Sequence, residues 1–379
     1  LATRKIFGKT SNKPIRPHKN VTKKIIINGR FLCRPMTGVD RYAIEVVKAI
    51  DSLLAEKHPA VCAYEWVLAT PASPTTLPLK HIRQVELRKL KGQLWEQVSL
   101  PLYSMGATLL NLCNSAPLIK CQQMVVVHDA ATVRVPESYS KGFRNWYKLM
   151  IPAVLRLSKY IGTVSHFSRQ ELMDIYGTQR TITVLPEGAE HLHQIPSDTS
   201  LLDKHQLQGR PYVLAVGSMA PHKNFKVLIE AVSRLSNPPF DIVIAGGTNP
   251  KIFSTNQQDL PAWVKHVGYV TDNQLKSLYE TASCFVFPSK YEGYGLPPTE
   301  AMALGCPVIC ARSASLPEIC GEAAVYFDAN SPDQLATELL RFFQNADMRA
   351  RLRELGLEKI KKRTWRNAAL AVVDSLKKE

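Results

Sequence analysis

Apolar residues along the chain alternate between short continuous runs and segments with helical spacing. Continuous runs are typical of strands that are buried on both faces. In the first half they lie at residues 25–27, Trp66–Ala69, Leu109–Leu112, Met124–Val127, Ile161–Val164 and Ile182–Leu185. In the second half they begin at Tyr212 and continue in "FDIVIAGG", "CFVFPS", "PVICA" and "AVYFD". Two such series, alternating with helices, predict an α/β fold with two parallel sheets.

Helix signals lie between these strands. Residues 168–176 open with Ser168 and Glu171 at the spacing of a capping box. Residues 141–158 also have helical spacing, but Pro152 lacks the N–H that a helix interior uses. This proline predicts a kink or a break in the second helix.

The interior stretch with the least periodicity and the most polar residues lies near residues 193–210. We place a linker there, between an N-terminal Rossmann-like domain of residues 23–195 and a C-terminal one of residues 205–362. Ligands bind at the carboxyl ends of strands in open α/β sheets, so two domains that face each other enclose a cleft.

Much of the net charge of +16 lies at the N-terminus. Eight basic residues and no acid precede or begin the first strand: Arg4, Lys5, Lys9, Lys13, Arg16, Lys19, Lys23 and Lys24. This composition predicts a flexible basic arm over residues 1–22. The arm either is a solvated tail or attracts an anionic membrane surface or another polyanion. The chain has no recognised nucleic-acid module, so nucleic acid is not an expected partner.

The eight cysteines form no CxxC pair and no zinc-finger spacing. Several lie in apolar runs, which predicts buried, reduced thiols and favours the cytoplasm over secretion. No apolar run reaches the length of a membrane-spanning helix, and the first residues contain no apolar stretch of signal-peptide length.

The segment "KYEGYGLPPTEAMALGCPVI" carries the strongest chemical signal. Glu292 is placed on a loop that follows an apolar strand, and Glu300 in the first turn of the next helix. Two carboxylates at this position can accept hydrogen bonds from sugar or ribose hydroxyls. The loop backbone can direct four N–H groups at a phosphate, those of Gly293, Tyr294, Gly295 and Leu296. Either glutamate alone is equally well explained as a helix-dipole acid or a surface charge.

A second loop, "AVGSMAPHKNF", follows the strand at Tyr212. Gly217 ends that strand, Ser218 offers a hydroxyl, and Lys223 precedes a helix. A lysine at this point can neutralise a diphosphate as a point charge. The P-loop pattern is absent, so this is not an ATPase loop.

Two N-terminal motifs complete the candidate residues. His128 and Asp129 fall where an apolar strand ends, and a hydrogen-bonded structural histidine is the alternative interpretation. Gly38 lies just before a helix, where the lack of a side chain permits close approach of a ligand.

From about Lys24 onwards the chain resembles retaining glycosyltransferases of family 4, which have the GT-B fold. "EGYGLPPTEAMALGCPVI" matches the EX7E signature of that family, and "VGSMAPHKNF" resembles its diphosphate-lysine loop. Its N-terminal half is matched in order by "TGVDRYA", "LWEQVSLP", "VVVHDA", "TVSHFSRQEL" and "VLPEGAE", and "RTWRNAA" resembles the start of its last helix. The resemblance implies that residues 363–379 cross back onto the N-terminal acceptor domain.

The resemblance also implies residue roles. Glu300 should bind the ribose hydroxyls, Glu292 the donor-sugar hydroxyls, and Lys223 the diphosphate. His128 should touch the donor sugar, and Gly38 should pack near the phosphates. The donor is then a GDP- or UDP-sugar used as substrate, with no further cofactor and no metal site.

The N-terminal motifs look most like mannosyltransferases that build O-antigen and exopolysaccharide, which implies a saccharide or lipid-linked acceptor. The resemblance thus implies a retaining, metal-independent hexosyltransferase that works in the cytoplasm or at the cytoplasmic face of the inner membrane. Front-face attack by the acceptor is favoured, unless Asp129 serves as a nucleophile.

Two departures from the family pattern leave questions open. Many members pair the lysine with an arginine in the same loop, whereas this loop offers His222, so Arg41 or Arg30 is a candidate for the second charge. Tyr294 and Thr299 replace a phenylalanine and a leucine. The alternative functions are another GT-B enzyme, such as a nucleotide-sugar epimerase, and a polyanion-binding protein.

Overall fold

The computed structural model describes residues 23–247 and 261–377. Seven parallel strands form the first sheet: β1 Lys23–Asn28, β2 Tyr64–Thr70, β3 Arg83–Glu86, β4 Thr108–Asn111, β5 Gln123–Val126, β6 Tyr160–Thr163 and β7 Thr183–Val184. Six parallel strands form the second: β8 Tyr212–Val216, β9 Asp241–Ala245, β10 Val264–Gly268, β11 Cys284–Phe287, β12 Val308–Ala311 and β13 Ala324–Phe327. The prediction of two parallel sheets is confirmed.

Helices and short turns connect these strands. The helices of the first half are α1 Gly38–Ala55, α2 Pro59–Cys62, α3 Gly92–Leu94, α4 Leu100–Tyr103, α5 Ala131–Arg134, α6 Lys141–Leu157 and α7 His166–Tyr176. Those of the second half are α8 Ser200–Lys204, α9 Phe225–Ser233, α10 Asp272–Thr281, α11 Leu296–Ala303, α12 Leu316–Cys320, α13 Pro332–Gln344, α14 Ala346–Ile360 and α15 Trp365–Ser375. A π-helical turn, Trp95–Ser99, joins α3 to α4. None of the helices in the described ranges is long and apolar enough to cross a membrane.

Both sheets reverse their strand order next to their first strand. The first sheet has the order β3-β2-β1-β4-β5-β6-β7, and the second has the order β10-β9-β8-β11-β12-β13. The crevice at such a reversal is where open α/β sheets bind ligands. In the second sheet the reversal lies between β8 and β11, and the two candidate loops follow these two strands.

The core of the first sheet explains why its strands are apolar on both faces. Ile25 and Ile27 of β1 pack into the large core that includes α1, whereas Ile26 packs on the other face with Trp95. Alternate residues of a strand point to opposite faces, so successive residues of β1 bury their side chains alternately under the two layers that cover the sheet.

The last helix, α15, returns to the first sheet and packs on α1. The rings of Trp365 and Tyr42 lie 6.1 Å apart, and Arg366 forms an ion pair with Glu56. The expected crossing back of the C-terminal segment is confirmed. The basic arm of residues 1–22 lies outside the described residues, and the exact domain limits stay predictions.

Several local predictions were wrong for physical reasons. Strand β3 was missed because it is a sheet edge with a polar sequence. Of the two alternatives at Pro152, a break is wrong, because α6 continues through this residue, which lies at an exposed position. Helix α7 begins earlier than expected, because Ser165 rather than Ser168 accepts the capping hydrogen bond.

The cysteine prediction was correct for only part of the set. All eight thiols are free, as expected. The four in the apolar runs of the second half are buried, namely Cys284, Cys306, Cys310 and Cys320. Cys33, Cys62 and Cys121 are exposed instead, because they lie at turns and element ends rather than inside strands.

Candidate active site

The loop between β11 and α11 is held by hydroxyl groups at its carbonyl oxygens. Ser315 Oγ donates to the carbonyl oxygens of Glu292 and Tyr294, at 3.0 and 2.7 Å. Ser165 and Ser168 of the other domain donate to that of Gly293, at 2.6 and 2.9 Å. Within the described part of the chain, the N–H groups of residues 293–296 donate to no protein atom. Donors that have no partner at a helix N-terminus form an anion-binding arrangement.

Two glycines of this loop are required by its geometry. Gly295 has φ of +111°, a left-handed conformation that side chains disfavour. A Cβ atom at Gly293 would lie 2.4 Å from the carbonyl oxygen of His128. The loop therefore makes van der Waals contact with the N-terminal domain at the motif that contains His128.

Glu300 is the fifth residue of α11, just beyond the first turn in which it was expected, because the helix begins at Leu296 before the two prolines. Its carboxylate is buried and lies close to two polar side chains, one of which is hydrogen-bonded to it. Oε1 lies 3.0 Å from Nε2 of His191, and Oε2 accepts a 3.1 Å hydrogen bond from the hydroxyl of Tyr279. Burial and the adjacent Glu300 raise the pKa of Tyr279 well above its usual value, so this hydroxyl stays a donor.

Helix α15 orients His191 toward this carboxylate. The indole N–H of Trp365 donates to Nδ1 of His191, at 3.2 Å. Because an indole nitrogen can only donate, Nδ1 is an acceptor and the proton of the neutral ring lies on Nε2, the nitrogen nearer to Glu300. Nε2 itself makes no hydrogen bond within the described ranges. The crossing helix thus contributes to the geometry around the second glutamate of the signature.

Lys223 and Glu292 meet at the reversal between β8 and β11. Nζ of Lys223 lies 2.6 Å from Oε1 of Glu292, and the two side chains are 17% and 14% exposed. Lys223 ends a short turn after β8, with its ammonium group also 5.5 Å from the ring centre of Phe287. The two predicted loops therefore do come together, and their charges neutralise each other here.

The other candidate residues of the loop after β8 lie beside Lys223. Gly217 continues β8 and donates to the carbonyl oxygen of Ala245, at 3.0 Å, while Ser218 is exposed. His222 receives or donates a 2.8 Å hydrogen bond at Nδ1 with the hydroxyl of Ser138. Burial and the neighbouring Lys223 lower the pKa of His222, which makes it a poor source of a second positive charge at neutral pH.

His128 lies at the end of β5, as expected, but its ring faces the domain interior. Nε2 is 2.8 Å from the carbonyl oxygen of Leu112, and Nδ1 is 3.7 Å from Oε1 of Glu187. Burial raises the pKa of Glu187, which favours its protonated form beside the imidazole. The sequence prediction had assigned no role to Glu187, although it had quoted the "VLPEGAE" motif that contains it.

Asp129 lies close to both members of the ion pair. Its Oδ1 accepts a 2.9 Å hydrogen bond from the N–H of Ala131. Burial is the main cause that raises the pKa of Asp129, and Glu292 raises it further, while the Ala131 N–H and Lys223 act in the opposite direction.

Gly38 is the first residue of α1, one position further in than expected, and Thr37 caps that helix in a capping box with Asp40. A Cβ atom at Gly38 would meet nothing within 4 Å, so this helix end is open. The two candidates for the second charge differ in their placement. Arg30 is paired with Glu96 inside the N-terminal domain, whereas Arg41 pairs with Asp272 of the other domain.

The sequence of this chain matches a known protein family. Residues 198–359 match the family described as "Glycosyl transferases group 1". The O-antigen chain mannosyltransferase B of Escherichia coli is 31% identical over 261 residues, which cover 66% of this chain and 68% of that protein. This chain is a group 1 glycosyltransferase. The O-antigen chain mannosyltransferase RfbU of Salmonella typhimurium is 25% identical to it over 316 residues, covering 80% and 86% of the two chains.

Solved structures show the fold of this glycosyltransferase. Sucrose-phosphate synthase from Thermosynechococcus elongatus superposes with a TM-score of 0.69 at 18% identity, over 92% of this chain and 97% of that one. Anabaena HepE, in complex with UDP and glucose, superposes with a TM-score of 0.73 at 16% identity, over 93% and 99%. The GT-B fold is confirmed.

The two domains of the glycosyltransferase are in contact around the site. The carboxylate of Glu318 accepts hydrogen bonds from the N–H groups of His166 and Phe167 at the start of α7, both at 2.8 Å. We call the loop between β11 and α11 the donor loop. The hydroxyl of Tyr294 in this loop donates a 3.0 Å hydrogen bond to the carbonyl oxygen of Glu187. The side chain of Tyr294 therefore holds the domains together, and only its backbone remains available to a ligand.

Metal-binding chemistry has no evident site in the described ranges. No group of three or more histidine, cysteine, aspartate or glutamate side chains there could hold a metal ion. Lys223 brings one positive charge to the loop between β11 and α11 through its contact with Glu292, and Arg363 brings another, with a nitrogen 3.3 Å from the hydroxyl of Tyr294.

Proposed function

We propose that this glycosyltransferase moves mannose from GDP-mannose to a saccharide or lipid-linked acceptor in surface polysaccharide or glycolipid synthesis. The mannose donor is supported by the names of the relatives, which include two O-antigen mannosyltransferases. A UDP-sugar is the alternative donor, since the HepE structures carry UDP and UDP-glucose.

One observation carries the donor site. The four N–H groups of residues 293–296 have no protein partner in the described ranges, and Lys223 lies across the same crevice. Backbone donors and one ammonium group together suit a diphosphate. In this proposal Gly217 and Ser218 complete that side of the crevice, and the open helix end at Gly38 packs near the phosphates from the other domain.

The remaining roles follow from this placement of the diphosphate. Glu300, already hydrogen-bonded to Tyr279, accepts the ribose hydroxyls. Glu292 exchanges its contact with Lys223 for hydroxyls of the donor sugar when the diphosphate arrives. For His128 to touch the donor sugar, its ring must turn away from the carbonyl group of Leu112.

We further propose that transfer retains the anomeric configuration by front-face attack and needs no divalent metal. The protein then mainly stabilises the charge that grows on the leaving diphosphate, and Lys223 and the N–H groups of the donor loop do so. The proposed place of work is the cytoplasmic face of the inner membrane, where a lipid-linked acceptor is found.

Saturation-transfer NMR with a panel of GDP- and UDP-sugars tests the donor. We expect strong transfer to the ribose and sugar protons of GDP-mannose and weaker transfer to UDP-glucose. The anomeric coupling of the first-formed product tests retention. Preferred binding of a UDP-sugar, or an inverted product, contradicts the corresponding part of the proposal.

A further inference from the structure

One outer surface of the N-terminal domain exposes mainly apolar and basic side chains, and the exposed acid at its edge, Glu86, is paired with Arg88. Between Arg88 and Gly106 the exposed residues other than glycine are Arg88, Lys89, Leu90, Lys91, Leu94, Val98, Leu102 and Met105. The one acid of this stretch, Glu96, is fully buried. Exposed apolar groups gathered in one place mark an interaction surface, whereas scattered ones do not.

Three of these apolar residues form a stripe along one side of a continuous helical segment. Leu94, Val98 and Leu102 are four residues apart across α3, the π-helical turn and α4, and are 63%, 42% and 64% exposed. Met105 follows them at 74%. The opposite side of the segment, including Trp95, packs on the first sheet. The stripe is therefore not needed for the core and faces outward.

Helix α6 lies on the same face of the sheet and extends this surface. Leu109 packs under the stripe and pairs with Gln123 on the neighbouring strand, so these two residues lie on the same face of the sheet. Val125 is two residues further along that strand and therefore lies on this face as well, where it packs under α6. The exposed side chains of α6 and the residue pair after it again include no acid: Lys141, Phe143, Asn145, Lys148, Leu149, Pro152, Arg156, Leu157 and Lys159. Ile119 is 76% exposed in the intervening loop. This loop contacts the stripe segment, because the N–H of Leu118 donates a hydrogen bond to the side chain of Gln97. We call residues 88–106, Ile119 and α6 the basic–apolar face.

The charge of this face decides what can cover it. A second copy of the chain would bring the same basic residues against themselves, and the N-terminal residues 1–22 are also basic without an acid. Both occupants are disfavoured by like-charge repulsion. An anionic lipid surface complements the lysines and arginines, and its headgroup layer accepts leucine, methionine and phenylalanine side chains.

The face adjoins the proposed active site. The rings of Tyr139, Phe143 and Tyr147 stack in a row, with centroids 5.5 and 4.2 Å apart, and Phe143 belongs to the face. Ser138, next to Tyr139, is hydrogen-bonded to His222, the neighbour of Lys223. An acceptor whose lipid stays in the bilayer would therefore emerge beside the donor loop.

We infer that the basic–apolar face docks on an anionic bilayer, with Leu94, Leu102 and Met105 in the headgroup layer and the basic residues at the lipid phosphates. Docking by this face does not depend on which sugar is transferred. Only its purpose, which is to present a lipid-linked acceptor, rests on the proposed function.

Vesicle co-sedimentation of the full chain tests the inference. The vesicles are pure phosphatidylcholine, or equal parts of phosphatidylcholine and phosphatidylglycerol. We expect wild-type protein to bind the anionic vesicles more tightly, and less tightly as salt rises. The double variant Leu94→Glu/Leu102→Glu should bind anionic vesicles at least about tenfold more weakly, because it loses two apolar contacts and gains two negative charges.

The matched control is Leu340→Glu/Leu357→Glu, which changes two exposed leucines of the C-terminal domain. It should bind vesicles like the wild type. Equal loss in both double variants, or wild-type binding in the Leu94→Glu/Leu102→Glu variant, overturns the inference. So does a wild-type dimer, detected by sedimentation equilibrium, that this variant dissolves, because the face would then be an interface between copies.

A deletion of residues 1–22 separates the arm from the face. If that deletion abolishes all vesicle binding while the Leu94→Glu/Leu102→Glu variant retains it, the arm is the membrane anchor and the inference is wrong. Calorimetric binding of GDP-mannose should be unchanged in the Leu94→Glu/Leu102→Glu variant. Failure of the donor proposal would appear there in the wild type, independently of vesicle binding.

Discussion

The two sheets have the same strand order around their reversal points, yet they build their halves of the site differently. The C-terminal half presents charged groups at the crevice, where Lys223 and Glu292 pair at 2.6 Å. The N-terminal half turns its polar groups inward, with both ring nitrogens of His128 directed at Leu112 and Glu187. In the C-terminal half a ligand has to replace one ion pair at the crevice, whereas in the N-terminal half a polar contact with a ligand requires the His128 ring to turn outward.

This difference fits a division of labour. A nucleotide diphosphate is a fixed, strongly charged ligand, and preorganised donors and an ammonium group suit it. An acceptor saccharide carries many neutral hydroxyls. The buried polar groups around His128 and the stacked rings of Tyr139, Phe143 and Tyr147 suit such a ligand, because they contact it without requiring a net charge. Substitutions in the two halves should therefore have effects of different size and kind.

The largest effect is expected for Glu300→Ala, in the C-terminal half. Hydrogen bonds to a charged group contribute about 1.5 to 3 kcal/mol each, so loss of two ribose contacts should weaken donor binding about 100-fold or more. Titration calorimetry with the nucleotide measures this. Glu322→Ala, an exposed acid of the same domain, is the control. Unchanged affinity in a folded Glu300→Ala protein would remove the assignment.

Lys223→Ala should reduce turnover about 100-fold, with a smaller change in acceptor affinity. The charge that Lys223 meets grows as the diphosphate leaves, so the transition state loses more than the ground state does. Steady-state kinetics separates kcat from the acceptor KM. Lys226→Ala, an exposed lysine on α9, should behave like the wild type. Normal turnover in the Lys223→Ala enzyme rules out the role.

Gly293→Ala tests the contact between the two halves directly. The added Cβ atom would lie 2.4 Å from the carbonyl oxygen of His128, so the domains must separate at this point. We expect turnover to fall about tenfold or more and donor affinity to fall less. Gly142→Ala meets no neighbour within 4 Å and serves as the control. Equal kinetics in both variants would show that this contact is not needed for transfer.

Glu187→Gln should change the pH dependence of stability. Because burial raises the pKa of Glu187, the folded state holds its proton more tightly than the unfolded state. Its contribution to stability is therefore present at low pH and lost as pH rises above the ordinary glutamate range.

Thermal melts across pH measure this effect. The melting temperature of the Glu187→Gln variant, relative to the wild type, should rise with pH by about 2 °C or more. The groups that face Glu187 are His128, Tyr42, His191, Glu300 and Tyr294, so the melts should also be compared with Glu322→Gln, whose carboxyl group is exposed. A difference that does not vary with pH contradicts the buried, protonated state.

The smallest effect is expected from metal removal. Lys223 and the donor loop supply the positive potential, so turnover in EDTA should stay within about twofold of the untreated enzyme. Kinetics before and after chelation measures this. Loss of turnover in EDTA that magnesium or manganese restores would contradict metal independence.

The sequence by itself determined the fold class and the donor-side motifs. Strand runs and helix spacing depend on neighbouring residues, and the loops at 217–223 and 292–300 each lie within one short stretch of chain. Their meeting at the reversal between β8 and β11 could be anticipated, because parallel strands bring their carboxyl ends to one edge.

Only the tertiary structure decided which side chains complete each other across the chain. His191 faces Glu300, oriented by Trp365, and these residues come from three separate segments. The inward ring of His128 and the outward stripe at Leu94 likewise depend on which face of an element is covered. Local pattern states which residues are polar or apolar, whereas burial and partner choice are set by contacts between residues far apart in sequence.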